Sequence, residues 1–366
     1  MTELLLNNKE SMFNDKLNHS MIENIMADSQ KLNDYLVPQH RISVSYNLTS
    51  SKPRMNVPIN QYREVKSMNI HTNAITQLGD KIGVPANYLK NLSEGQDWQK
   101  SLFSRTLNDH FSFLERQNPV LLRTNDYAVK AYLSNSYDRY NSVEVLGQFL
   151  TSFYNNGLEL SQAYFDGIRY FVELTSKNNP IMIDNQLHFF AVQFRNSDYG
   201  RGALDIRFML IKQICSNGMV MQSALRKIHR GRKMELPGDN FMLSEDTMKK
   251  ETAAKKGIVR DVANYICSEK CVNDIISRYQ KANDIEIEVS DVIEKLPSVG
   301  ATKKDIDLIQ NILMGNKAET GVQEGGNIVR VASAVSYIAN RYDNTEAESI
   351  NKYREMSGNL LMKFVK

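Results

Sequence analysis

The stretch RKIHRGRK at positions 226–233 places Arg226, Lys227, Arg230, Arg232 and Lys233 within eight residues. Cations gathered this closely are the footprint of phosphate binding, because each neutralised phosphate releases counterions and adds a salt-dependent increment of affinity. Gly231 lets the backbone turn between Arg230 and Arg232. Just upstream, Arg195, Arg201 and Arg207 stand among Phe190, Phe194, Tyr199 and Phe208. Aromatic faces beside a basic groove hold single strands by stacking bases while cations hold the backbone. The candidate nucleic-acid site is therefore Arg195, Arg201, Arg207, Arg226, Lys227, Arg230, Arg232 and Lys233, with Phe194 and Tyr199 as stacking platforms. Between 195 and 233, nine Lys and Arg meet only Asp198 and Asp205, a net of +7. The whole chain is +3, so the remainder is −4 and the positive charge is local. The competing reading of such a run is a solvated helix end, where cations are favoured by the dipole.

Other chemistries find less support. Gly200 and Gly202 form a Gly–x–Gly, but no strand–turn–helix context surrounds them. No GxxxxGK[ST] loop, GxSxG elbow or HExxH helix occurs. A metal-dependent nuclease would need acids such as Asp198 and Asp205 to converge on Mg²⁺; Asp205 lies two residues from Arg207, which reads as charge balancing. Cys267 and Cys271 are one helical turn apart, yet no second Cys/His pair accompanies them, and structural zinc wants four ligands. No cofactor is expected, and a binding protein is favoured over an enzyme.

The elements that must position these residues follow from pattern. Of 366 residues, 42% are hydrophobic and 24% charged, ordinary figures for a globular protein with a sizeable core. Three cysteines are too few for a disulfide framework, the N-terminus lacks a basic signal-peptide start, and no apolar run approaches the ~20 residues of a membrane span. A cytoplasmic protein with no membrane partner is expected. Residues 9–36 read as a helix, 41–49 as a short strand, and SSKPRMNVPINQ as a loop punctuated by Pro53 and Pro58. Residues 70–115 return to helical spacing, and the turn at Gly83–Val84–Pro85 reads as a packed helical hairpin. Four segments then alternate with period two: 127–134, 167–176, 187–194 and 203–214. Ile168, Tyr170, Val172 and Leu174 share one face; Leu204, Ile206, Phe208 and Leu210 share another, opposite Asp205 and Arg207. Antiparallel sheets commonly bury one face and wet the other. From 244 onward the chain is helical again. Thr302 and Asp305 form a capping box closed by Gly315, and Ile328, Val331, Val335 and Ile338 form a buried stripe.

The fold class expected is α+β, a curved antiparallel β-sheet in the middle of the chain packed by N- and C-terminal helices. The regions are a mainly helical 1–116, a sheet core with the basic segment at 117–243, and a helical 244–366 that either joins the sheet in one domain or stands beside it.

Two blocks carry a resemblance. LLRTNDYAVKAYLSNSYDRYNSVEVL (121–146) sets Arg123, Ser134, Tyr137 and Arg139 before a helix. FRNSDYGRGALDIRFMLIKQICSNGMV (194–220) sets Asn196, Ser197 and Gly200 ahead of a strand ending in Cys215, Asn217 and Gly218. With HRGRK following and VRVASAVSYIAN and YREMSGNLL near the end, the chain from roughly 70 to 366 resembles the phage/plasmid-like proteins of domain-of-unknown-function family 932. SNSYDRY carries one residue more than the family's tight form, and Tyr199 and Arg201 broaden the second block. The resemblance implies a protein of a phage, plasmid or integrated element acting in the host cytoplasm, and supplies no activity. That setting suits single-stranded DNA handling, annealing or protection, by an oligomer. The alternatives are a protein-interaction or anti-defence factor whose charged helices 244–283 dock a host or phage partner, and the nuclease. Asn196–Ser197 and Cys215–Asn217–Gly218 read as tight turns.

Overall fold

The structure, a computed structural model, describes residues 15–49, 51–59, 64–113, 119–125, 127–176, 179–183, 186–212, 217–227, 244–315, 326–339, 342 and 347–364. Helix α1 (Asp15–Gln30) leads into strands β1 (Leu32–Val37), β2 (Ser43–Ser45), β3 (Arg54–Pro58) and β4 (Val65–Ile70). Three helices follow: α2 (Thr72–Ile82), α3 (Ala86–Glu94) and α4 (Asp97–Phe113). Strands β5 (Val120–Asn125) and β6 (Ala128–Ser134) then complete a six-stranded sheet of order β1-β5-β6-β4-β3-β2. Its β4–β6 pairing is parallel; its other pairings are antiparallel.

A second sheet follows helix α5 (Ser142–Tyr154). It contains β7 (Glu159–Phe165), β8 (Tyr170–Thr175), β9 (Ile181–Ile183), β10 (Gln186–Asn196), β11 (Leu204–Lys212) and β12 (Asn217–Lys227). The order is β12-β11-β10-β8-β7, with β9 also pairing β10, and every pairing is antiparallel. The chain ends in helices α6 (Glu245–Ile266), α7 (Glu269–Asn283), α8 (Val289–Ile293), α9 (Lys303–Met314), α10 (Ile328–Ile338) and α11 (Ala347–Phe364). The α+β class with flanking terminal helices is thus present, built on two sheets rather than one. The first sheet draws strands from both sides of residue 116, so the helical N-terminal region and the sheet region interlock. Part of the expected 9–36 helix is instead β1, paired from Leu32↔Asn125 to Val37↔Val120. The expected loop around Pro53 and Pro58 contains β3, whose Met55 and Val57 are fully buried.

Each element forms for a local reason. In α2–α3, Ile75, Leu78, Leu89 and Leu92 recur at helical spacing and pack onto the first sheet with Phe103 and Leu107 of α4. That is the packed hairpin, and Gly83 closes α2 at φ 71, a left-handed cap. In α9, Thr302 Oγ accepts from Asp305 N–H at 3.3 Å, and Gly315 follows as expected. The stripe Ile328, Val331, Val335 and Ile338 of α10 is fully buried.

The second sheet departs most from expectation, because both of its faces are covered. One face sets Val172, Val192, Phe194 and Ile206 against Phe149 and Phe153 of α5. The other carries Glu173, Gln193, Arg195 and Arg207, and α11 lies across it. Gln193 donates to Asn351 at 3.1 Å, Arg354 to Glu173 at 2.9 Å, and Arg195 to Glu355 at 2.9 Å. The polar alternation that reads as a solvent face is matched by polar residues of a helix. At the crossing, Gly358 leaves no room for a side chain against the Val220 carbonyl.

Histidine burial makes this core pH-sensitive. His188 of β10 is fully buried, its Nδ1 donates to the Gln186 carbonyl at 3.0 Å, and its ring meets Tyr279 edge-on at 5.1 Å. Burial pulls its pKa from 6.5 down to about 4, helped by the nearby Lys212 charge and opposed by the Gln186 bond. A folded pKa below the unfolded one means that the folded chain binds fewer protons. Its stabilisation is then present above pH 6.5 and is lost as pH falls toward 4. Between pH 7.5 and 4.5 the native protein should lose about 2 kcal/mol more than a His188→Phe variant, as read by urea unfolding. Identical pH dependences would refute this role for His188.

Candidate nucleic-acid interface

The structure divides the predicted site. Arg207 is buried: its Nε donates to Asp205 at 2.6 Å and its Nη1 meets Glu355 of α11. Glu355 also binds Arg195, so one exposed-edge carboxylate clamps two of the candidate cations. Both are therefore corrected from phosphate ligands to structural ion pairs, because α11 covers the face they point from. The stacking role of Phe194 and Tyr199 is corrected as well. Phe194 is fully buried between Phe149 at 5.1 Å and Tyr170 at 6.1 Å. Tyr199 is buried too; its hydroxyl donates to Asp28 at 2.7 Å, and Lys130 Nζ sits 4.8 Å from its ring centre. Neither ring presents a face to a base.

Arg201 and Arg226 remain. Both are exposed, and neither has a carboxylate partner among the described residues. Lys227 is placed by its backbone pairing with Leu204. Arg230, Arg232 and Lys233 lie outside the described residues, as does Cys215. The topology nevertheless brings the survivors together. Strand β10 ends at 196, β11 begins at 204 and β12 ends at 227, so Arg201, Arg226 and Lys227 share one end of the second sheet. The chain leaves that same end into 228–233. Beside it lies a polar cavity of 210 Å³ whose walls include His71, Thr72, Lys90, Asp166, Arg169 and Arg201. His71 caps α2 by accepting the Asn73 N–H on Nδ1, so the helix N-terminus opens on this cavity. Lys90 and Arg169 add two cations, and Asp166 answers Arg169 at 3.1 Å. Sequence reasoning missed Lys90 and Arg169 because they come from α3 and from the β7–β8 turn, far from the basic run.

The two resemblance blocks meet in space, and what they build is a buried hub between the sheets. Arg123 donates from Nε to Asp34 at 2.8 Å and from Nη1 to the Asp198 carbonyl at 2.5 Å. Its guanidinium lies 5.6 Å from the Tyr137 ring centre, and Tyr137 donates to the Ser197 carbonyl at 3.1 Å. Ser142 donates to the Asp198 carboxylate at 2.6 Å, and Tyr140 to Asn196 at 3.1 Å. Burial raises the Asp198 pKa, while Arg123 and Ser142 pull it back. The turn after β10 is thus buried from Asn196 to Tyr199 and surfaces at Gly200. Gly200 is required there twice over: its φ is +73, and a side chain would strike Leu133.

This hub also bears on the nuclease alternative. Asp198 is spent on Ser142 and Arg123, and Asp205 on Arg207, in two separate clusters. Among the described residues no three His, Cys, Asp or Glu side chains are grouped to hold a metal ion. Burial pushes both the Cys267 and Cys271 thiols up, Cys267 to about 12, so both stay protonated at neutral pH. No family model, no curated protein and no solved structure matches the chain.

Proposed function

We propose that the protein binds nucleic acid through the phosphate backbone, as a non-enzymatic factor of a mobile element, with single-stranded DNA its substrate. The observation that carries this reading is the strand end shared by Arg201, Arg226 and Lys227, where the exposed Arg201 and Arg226 have no carboxylate partner among the described residues. The sequence continues from there into Arg230, Arg232 and Lys233. Six cations meeting phosphates are enough for a strongly salt-dependent contact. With Phe194 and Tyr199 inside the core, base stacking from these rings leaves the reading, and the affinity rests on charge. The single-strand assignment comes from the mobile-element setting that the resemblance implies.

Fluorescence anisotropy of a labelled single-stranded oligomer tests it. Each phosphate contact contributes about −0.7 to the slope of log affinity against log salt, so six contacts give a slope of about −4. Changing Arg226, Arg230 and Arg232 together to Ala should halve that slope and leave the fold intact, since Arg226 is exposed. Arg207→Ala should instead weaken the fold. No binding at low salt, or a triple variant that binds like the native protein, would remove nucleic acid from consideration.

A further inference from the structure

A stacking ring for the basic rim has to come from the surface, since Phe194 and Tyr199 belong to the core. Tyr127 sits in the β5–β6 turn and is 78% exposed. Its side chain makes no hydrogen bond and no ring contact among the described residues. A single exposed ring is ordinary on a protein surface. What sets Tyr127 apart is where the backbone puts it.

Two hydrogen bonds tie the β5–β6 turn to the polar cavity beside the rim. Where β4 runs into α2, the Asn69 N–H donates to the Tyr127 carbonyl and the His71 N–H to the Val129 carbonyl, both at 2.9 Å. Tyr127 therefore stands two residues, about 7 Å of extended chain, from the residue that holds His71, a wall of the cavity. Asn73 Nδ2 donates to the Lys130 carbonyl at 2.9 Å and to the Tyr199 carbonyl at 3.1 Å, joining β6 to the turn that carries Arg201. Lys130 Nζ donates to the Gly167 carbonyl at 3.0 Å, in the turn that carries Arg169. The start of α2, the start of β6 and the two turns thus form one framework.

That framework leaves positive charge unanswered. Arg169 is met by Asp166 and by Glu348. Lys90 and Arg201, which also line the cavity, make no ion pair among the described residues. Cations beside an exposed ring are the combination that single strands use, with phosphates on the charge and bases on the aromatic face. Tyr88, also exposed, is less suited. It precedes Lys90 by two residues on α3, and side chains two apart on a helix do not face together.

We propose that Tyr127 is a base-stacking platform of the basic rim, holding an unpaired base on its ring while the neighbouring phosphate meets Arg201 and Lys90. This role rests on the polyanion reading and adds what charge lacks, a preference for strands whose bases are free.

Anisotropy with three labelled probes tests it: a thymidine single strand, an abasic strand of the same length, and a duplex. Tyr127→Ala should weaken binding of the thymidine strand about fivefold or more, the scale of one stacked base. Its salt slope should match the native one, because no phosphate contact is lost. Tyr127→Trp should bind at least as tightly as the native chain. The abasic strand keeps the phosphates and lacks the bases, so native and Tyr127→Ala should bind it alike. Lys90→Ala and Arg201→Ala should instead each reduce the steepness of the slope by about 0.7 on both strands. The native chain should prefer the thymidine strand to the duplex, and Tyr127→Ala should lose most of that preference. Since the ring is exposed, the variants should share the native urea midpoint. Tyr127→Ala binding the thymidine strand like the native chain overturns the platform and leaves the polyanion reading standing. An equal loss on the abasic strand overturns stacking as its role. Failure of the native chain to bind any probe removes the polyanion reading and the platform with it.

Discussion

Replacing Arg354 with alanine should destabilise the protein by about 3–5 kcal/mol, the loss seen when one partner of a buried ion pair is removed. Glu173 in the middle of the second sheet is fully buried, and Arg354 Nη1 of α11 binds its carboxylate at 2.9 Å. The other support is weaker: Ser161 Oγ donates to Glu173 Oε1 at 3.3 Å and itself accepts from Thr175 at 2.8 Å. Without Arg354 a carboxylate would sit in the core with one long hydroxyl contact. The pair also pins α11 over a sheet face that otherwise exposes Arg195 and Arg207, so its loss should loosen the whole cover. Glu173→Gln combined with Arg354→Met removes both charges and should recover most of the stability, giving a coupling energy of about 2 kcal/mol or more in the double-mutant cycle. Urea unfolding of the four proteins measures it. An Arg354→Ala cost below about 1 kcal/mol would show that the carboxylate finds water or another donor.

The same helix explains why the sequence misled about the site. Strands β6, β8, β10 and β11 were legible because aromatic and β-branched residues alternate in them with polar ones. Alternation tells which residues share a face, and it did so correctly for Tyr170, Val172 and Leu174, and for Leu204, Ile206, Phe208 and Leu210. It cannot tell what covers the second face. A sheet face of Gln, Glu and Arg reads as wet unless its partners are known, and here they lie 148 to 181 residues away on α11. The misplacement of Phe194 was avoidable. It shares parity with Phe190 and Val192 along β10, so the rule that identified the apolar face also assigned this ring to the core. Tyr199 gave no such signal, since its burial depends on Asp28 and Lys130 arriving from α1 and β6. The short strands β3 and β4 were invisible because Pro53 and Pro58 mark the first as a loop and only Met68 of the second is buried, and the parallel β4–β6 link has no local signature. Arg201 and Arg226 stayed legible because an exposed cation needs no partner to be found.

Arg123→Ala is the second large effect expected, again about 3–5 kcal/mol at neutral pH, and its pH dependence separates it from simple loss of packing. Arg123 is 4% exposed and joins three segments: Asp34 of β1, its own strand β5, and the Asp198 carbonyl in the β10–β11 turn. It is the cationic centre of the hub that joins the first sheet to the second. Removing it leaves the Asp198 carboxyl with Ser142 alone, and leaves Asp34 with the distant Arg139. Asp198 already has a raised pKa, from burial first, with Arg123 the largest opposing influence. Without that influence the pKa rises further. A carboxyl whose folded pKa lies above its unfolded value is penalised above that folded pKa, and the penalty is relieved as pH falls through it. The cost of Arg123→Ala should therefore be smaller at pH 5 than at pH 8. Loss of packing alone would cost the same at both. Urea unfolding at the two pH values decides: a pH-independent cost would mean that Arg123 acts as bulk rather than as the counter-charge of the hub.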